Sequence, residues 1–228
     1  MECPALTVLL ENYHRLQNAL SDAALAAGRA PTTVTLLAVS KTQPAEPVAA
    51  LLAAGQRHFG ENRVAEAAGK YPPLRSLYPD LRLHLIGPLQ TNKVKQAVSL
   101  FDVIETVDRP KLAQALAAEM AASGRALPCL IEVNIGEEPQ KSGVAPSDVA
   151  DFLVACRGWG LGVTGLMCIP PQHRDPAPHF RRLQSLARTL ALPVLSMGMS
   201  GDFAAAIACG ATEIRIGTAL FGMRGDIA

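Results

Sequence analysis

The stretch Val34-Thr35-Leu36-Leu37-Ala38-Val39-Ser40-Lys41-Thr42, then the Ala/Leu-rich run from Glu46 to Ala54, then His58-Phe59-Gly60, sets the fold. Val34 to Ser40 is a short apolar, partly β-branched run, the signature of a buried strand. Glu46 to Ala54 reads as a helix, and His58-Phe59-Gly60 opens a second strand. Strand, helix, strand is the unit of a parallel sheet, because a parallel neighbour needs a crossover connection. The same alternation continues outward. A helix starts near Arg63, and Leu81 to Ile86 is a strand. A helix spans Asn92 to Ser99, before Val103-Ile104-Glu105. Helical Arg109 to Ala122 precedes the strand Cys129 to Val133. Ser147 to Cys156 precedes Val163 to Ile169, and Phe180 to Leu190 precedes Val194 to Met197. Gly201 to Cys209 is helical, Glu213 to Ile216 a strand, and a last helical turn follows Thr218.

Eight strand–helix pairs point to an α/β fold, a closed (β/α)8 TIM barrel. Such barrels usually take about 250 residues and tolerate about 200, so a chain of 228 residues is a compact example. A doubly wound open sheet is the alternative. Ahead of the first strand, Leu6, Leu9, Tyr13, Leu16 and Leu20 recur at helical steps, and Gly28 and Pro31 stop the run. No Ser/Gly-rich linker or low-complexity tract marks a boundary. The expectation is one domain over residues 1–228, with residues 1–30 forming a helix that packs on the barrel. Arg174-Asp175-Pro176-Ala177-Pro178 reads as the most mobile loop.

Composition narrows the function classes. Hydrophobic residues make up 49% and charged residues 18%, which excludes a disordered chain. The formal net charge is +1, so nothing in the overall charge draws nucleic acid or an anionic membrane. Aromatics at 4% do not supply stacking platforms for single strands. Any anion must be held by local groups. Five cysteines (Cys3, Cys129, Cys156, Cys168, Cys209) form no C-x-x-C, so small buried hydrophobes in a reducing cytoplasm are expected, not a disulfide framework or zinc knuckle. Met1-Glu2-Cys3-Pro4 has no signal-peptide pattern, and no apolar run approaches the ~18 residues of a membrane span.

Several motifs could carry chemistry. Gly160-Leu161-Gly162-Val163-Thr164-Gly165 matches G-x-G-x-x-G, but a helix precedes it and a strand follows, the reverse of a dinucleotide fingerprint; it reads as a turn. His14, His58, His84, His173 and His179 form no H-E-x-x-H, so no metal site is expected. His84, inside a strand, reads as a hydrogen-bonded core histidine, with a catalytic role as the alternative. Lys41 ends an apolar strand, and barrel strands end at the active-site mouth. A partly desolvated lysine there releases its proton more readily and can attack an aldehyde to form a Schiff base. The alternative is an exposed lysine beginning a loop. After the seventh strand, Ser196-Met197-Gly198-Met199-Ser200-Gly201 opens a helix, and after the eighth Ile216-Gly217-Thr218 opens another. Helix starts after strands seven and eight are where barrels commonly hold phosphate, although Ser200 and Thr218 could be ordinary N-caps. Arg215, between Ile214 and Ile216, needs a partner or solvent. Alternation sets it on the opposite face from the isoleucines without saying which face is inside.

Lysine after strand one with a phosphate cradle after strands seven and eight suits pyridoxal 5′-phosphate (PLP). The sequence resembles the pyridoxal phosphate homeostasis protein family, single-domain relatives of alanine racemase. The resemblance runs from about Leu36 to Arg224. It rests on Ala38-Val39-Ser40-Lys41-Thr42, Phe59-Gly60-Glu61-Asn62, the run His84-Leu85-Ile86-Gly87-Pro88-Leu89-Gln90-Thr91-Asn92-Lys93, Lys141-Ser142-Gly143, Gly165-Leu166-Met167, Leu195 to Ser200, and Ile214 to Gly222. Leu85 stands where the family often has an aromatic, Gly201 where an acidic residue often follows Met-Ser, and Met223-Arg224-Gly225-Asp226 departs from the usual close.

The resemblance implies a racemase-like barrel with an N-terminal helix and Lys41 as the Schiff-base lysine. It implies phosphate contacts from Ser200, Gly217 and Thr218, with Ser196 also at the cofactor. It sets Arg215 against the pyridine nitrogen and Asn62 beside the cofactor. PLP supplies an electron sink, and an arginine at the ring nitrogen disfavours its protonation and makes that sink shallow. Tyr13, Tyr71 and Tyr78 all lie outside the strand C-termini, so a second acid–base group is not evident. The expected function is intracellular PLP homeostasis: buffering or delivering the cofactor to apo PLP-dependent enzymes, with effects on amino-acid and keto-acid balance. The expected state is a cytoplasmic monomer. A weak PLP-dependent racemase-like enzyme is the alternative, and a cofactor-free Schiff-base aldolase a third reading.

Overall fold

The computed structural model describes residues 4–222. Cys3 and the closing Met223-Arg224-Gly225-Asp226 lie outside the described residues. Eight parallel strands close into a barrel: Thr35–Val39 (β1), His58–Glu61 (β2), Arg82–Leu85 (β3), Val103–Val107 (β4), Cys129–Val133 (β5), Val163–Cys168 (β6), Val194–Ser196 (β7) and Glu213–Ile216 (β8). Each pairs with the next, and β8 returns to β1 with Leu37 level with Arg215. The doubly wound alternative is therefore ruled out: an open sheet has no such closing pair.

The helices are Pro4–Ala26 (α1), Ala45–Ala53 (α2), Val64–Leu77 (α3), Val94–Leu100 (α4), Pro110–Ser123 (α5), Val149–Gly158 (α6), Ala177–Thr189 (α7), Phe203–Ala208 (α8) and Thr218–Phe221 (α9). They surround the barrel and share one apolar core with the outward faces of the strands. Phe59, Phe101 and Phe180 are fully buried in it. The leading helix buries Leu9, Tyr13, Leu16 and Leu20, the stripe read from its spacing, and packs on α2, α8 and α9 across the seam where the barrel closes. Arg29, just past its end, ties it down by donating to the carbonyls of Ile207 (2.9 Å) and Ala211 (2.8 Å). No helix among the described residues is long and apolar enough to cross a membrane.

Two local expectations change. Ala177 begins α7, so Arg174–Pro178 is in part a helix start, with the Ala177 amide donating to Asp175 Oδ1 (3.0 Å). The helix expected over Gly201–Cys209 is only Phe203–Ala208, because Gly201 and Asp202 form the turn that enters it. The G-x-G-x-x-G segment is a turn with Gly160 at φ +83° leading into β6.

Candidate functional site

A cavity of about 370 Å³ opens at the C-terminal ends of β1, β2 and β8. Lys41, Asn62, Ser200, Arg215, Gly217 and Thr218 line it together, with Val39, Ile86, Ile169 and Met199 as apolar wall. Six of the seven residues singled out in the sequence thus converge, although they come from four different segments. The seventh, Ser196, is fully buried and lies one layer below.

The lysine loop is braced from behind. Thr42 holds φ +67°, a left-handed conformation that a β-branched residue adopts only under constraint. The constraint is visible: the Thr42 amide donates to Glu66 Oε1 at 2.6 Å. On the other side of Lys41, the Ser40 carbonyl accepts from Lys70 Nζ (2.8 Å) and from the Gln43 amide (3.0 Å). Lys70 is buried and also pairs with Glu61 (2.7 Å) and Glu66 (3.2 Å). The Ser40 hydroxyl donates to Glu61 Oε1 (2.8 Å), so the hydroxyl of Tyr71, 2.6 Å away, donates to Ser40. Burial pushes the Glu61 carboxyl up, against the pull of Lys70 and Ser40. Burial and the Glu61 charge push the Tyr71 phenol up as well, so it stays protonated. The backbone on both sides of Lys41 is held while its side chain faces the cavity.

Arg215 points into the barrel and is 5% exposed. Its guanidinium donates to Ser196 Oγ (2.7 Å) and to the Cys168 carbonyl (2.8 Å). Ser196 donates in turn to Glu105 Oε2 (2.5 Å), and the other oxygen of Glu105 meets His84 Nδ1 at 2.7 Å. His84 Nε2 lies 3.1 Å from His58 Nδ1. Burial is the largest influence on both members of the central pair and opposes both charges, but the surrounding groups together outweigh it. Glu105 is held below its ordinary value by His84, Arg215 and Ser196, and His84 is raised by Glu105. His58 is pushed down to about 4 by burial and by the neighbouring His84. Glu213 shares this space. The ligating atoms of His84, Glu105 and Glu213 lie within 4.8 Å of one another. Both Glu105 oxygens and both His84 nitrogens are engaged in hydrogen bonds, while Glu213 Oε2 is buried without a partner among the described residues.

The loops after β7 and β8 behave differently from two independent helix starts. Ser200 does not cap α8; its Oγ accepts from the Ala219 amide (3.2 Å) in α9 and so joins the two loops. The residue before α8 is Asp202, which accepts from the Met199 amide (2.6 Å). Thr218 is the first residue of α9, after Gly217. With α8 of 6 residues and α9 of 4, helix dipoles are small, and the polar character of this wall rests on hydroxyls and local amides. Gly87 serves the opposite wall. A Cβ there would come within 2.4 Å of the Asn62 carbonyl oxygen, so only glycine lets the loop after β3 pack against Asn62.

Sequence reasoning missed Glu61, Lys70, Glu66 and Glu105 as supports. Glu105 carried a signal of the same kind as Arg215: a charge inside an apolar strand, Val103-Ile104-Glu105. Two buried charges of opposite sign in a barrel are candidates for one network. His84 is a hydrogen-bonded core histidine, as one of its two readings had it. Cys129, Cys156, Cys168 and Cys209 are buried and unpaired, and burial pushes the Cys129 and Cys168 thiols up to about 12. No tyrosine lines the cavity among the described residues.

Comparison with known proteins shows the family. The family model described as alanine racemase, N-terminal domain, matches residues 11–225. A Pseudomonas aeruginosa protein named pyridoxal phosphate homeostasis protein is 44% identical over 225 residues, 96% of this chain and 97% of that protein. A crystal structure of an unknown protein from Bifidobacterium adolescentis superposes with TM-score 0.92 at 31% identity, covering 97% of each chain. PipY of Synechococcus elongatus, solved with PLP bound, superposes with TM-score 0.79 at 38% identity, covering 89% of this chain and all of that one. The chain belongs to the alanine racemase N-terminal domain family, among the relatives named pyridoxal phosphate homeostasis protein.

Proposed function

We propose that this protein binds PLP reversibly at the mouth cavity and serves intracellular PLP homeostasis. The single observation that carries the reading is the convergence of an amine, a guanidinium and a hydroxyl-and-amide wall on one cavity. That donor set matches a molecule with an aldehyde, a ring nitrogen and a phosphate. A cofactor of this kind, when bound, supplies an electron sink for amino-acid chemistry.

In this reading Lys41 Nζ holds the cofactor's aldehyde carbon as a Schiff base, with water as the leaving group. Ser200, Gly217 and Thr218 hold the phosphate, Arg215 donates toward the ring nitrogen, and Asn62 flanks the ring. Ser196 acts from below, through Arg215. Val39, Ile86, Ile169 and Met199 limit water at the ring. A guanidinium at the ring nitrogen keeps the sink shallow, and the cavity presents no tyrosine as a second acid–base group. Both features favour holding and releasing the cofactor over turning over amino acids. Apo PLP-dependent enzymes are the proposed recipients, and the proposed state is a cytoplasmic monomer.

Borohydride reduction of the PLP-loaded protein followed by peptide mapping should mark Lys41. A colourless protein after PLP addition, or a label confined to other lysines, would sink the reading. Sedimentation velocity showing only dimer would overturn the monomer.

A further inference from the structure

Barrel interiors are usually packed with branched apolar side chains, and this one is instead threaded by a polar chain. Starting at the mouth, Arg215 donates to Ser196 (2.7 Å), Ser196 to Glu105 (2.5 Å), and His84 to the other oxygen of Glu105 (2.7 Å), with His58 3.1 Å beyond. Ser196, Glu105 and His84 are at most 1% exposed, while His58 is half-buried at the start of β2. Every oxygen of Glu105 is used, and the donors reach it from opposite sides. A serine hydroxyl has one proton to give. Once it is committed to Glu105, its lone pairs face Arg215, so the carboxylate decides which way Ser196 can receive the guanidinium. The Cys168 carbonyl fixes the second nitrogen of Arg215. Two bonds to a planar fork define its plane.

We infer that Glu105 and Ser196 are positioning residues for Arg215: the carboxylate orients the serine, the serine orients the guanidinium, and the remaining guanidinium face is presented to the cavity in one pose. The inference about the bound cofactor rests on the reading above, while the ordering of Arg215 does not. No residue of this chain of contacts other than Arg215 reaches the cavity lining, so effects of the deeper residues on a ligand must pass through Arg215.

The test uses the full chain with Ser196→Ala, Ser196→Thr and Glu105→Gln. In the apoprotein, side-chain nitrogen NMR should show restricted Nε–Cζ rotation of Arg215 in wild type and Ser196→Thr, and averaged rotation in Ser196→Ala and Glu105→Gln. In PLP titrations, Ser196→Ala should raise the Kd about tenfold, the scale of one lost hydrogen bond to a charged group, and shift the absorbance maximum of the bound cofactor. Ser196→Thr should restore both. Ser196→Ala removes one buried oxygen and keeps the fold testable where Glu105→Gln does not fold. Unchanged Arg215 rotation in a folded Ser196→Ala overturns the positioning role. Averaged rotation with wild-type Kd and spectrum overturns its link to the cofactor. Wild type that orders Arg215 but takes up no PLP refutes the function reading and leaves the positioning role standing.

Discussion

The two faces of the barrel wall differ in chemistry. Outside, between strands and helices, the contacts are mostly apolar: Phe59, Leu83, Ile104, Phe101 and Phe180 are fully buried there. Inside, His84, Glu105, Ser196 and Arg215 form a hydrogen-bonded chain. A charged interior contributes little net stability, since desolvation offsets the attraction of paired charges. The outer layer supplies the apolar burial of the barrel, and the inner layer holds Arg215 at its mouth. Changes to the two layers should therefore fail in different assays.

The largest expected effect is at the mouth. Lys41→Ala should abolish covalent PLP attachment while leaving the urea unfolding midpoint near wild type, because the side chain lines an open cavity. Loss of stability comparable to a core deletion would break the separation of layers. Next is the brace behind the lysine loop, where a buried ion pair stands on the outer side of β2. Lys70→Met strands the fully buried Glu61 and should cost about 3–5 kcal/mol in urea unfolding. It should also slow borohydride labelling of Lys41, since the Ser40 carbonyl loses one of its two donors. Phe101→Ala, purely in the outer layer, should cost about 3–5 kcal/mol. Its absorbance maximum with bound PLP should match wild type under conditions where it is folded.

The smallest effect is on pH dependence. Burial pushes Glu132 and Glu213 up to about 7 from an ordinary 4.5, helped by Asp108 in the first case and Glu105 in the second. The folded protein then holds protons that the unfolded chain releases. This contribution to stability is full below about pH 4.5 and is lost as pH rises through about 7. The thermal midpoint should fall from pH 5 to pH 8, and Glu132→Gln should flatten the fall. A midpoint that rises over that range would show the interior carboxylates to be ionised with favourable partners instead.

Much of this was legible in the chain. Each strand and helix is a local pattern, and so were Lys41 at a strand end and the Gly/Ser/Thr-rich starts after β7 and β8. Arg215 was visible as an anomaly between isoleucines, but its direction was not, because a four-residue strand has too few alternations to tell inside from outside. Ser196 was placed among the contact residues and lies a layer deeper, since residues after a strand end and residues at it look alike in sequence. The role of Ser200 was hidden for another reason: its partner, the Ala219 amide, belongs to a different loop.

By itself, then, the order of residues determined the eight alternating units, the leading amphipathic helix and the residue types available at the mouth, because these follow from periodicity and turn chemistry within a few residues. Only the tertiary structure decided that Glu105 meets Ser196, 91 residues away, and that Ser196 meets Arg215. Closing β8 onto β1 turned one face of every strand onto a shared axis, where buried polar groups make their hydrogen bonds with side chains and carbonyls of other strands.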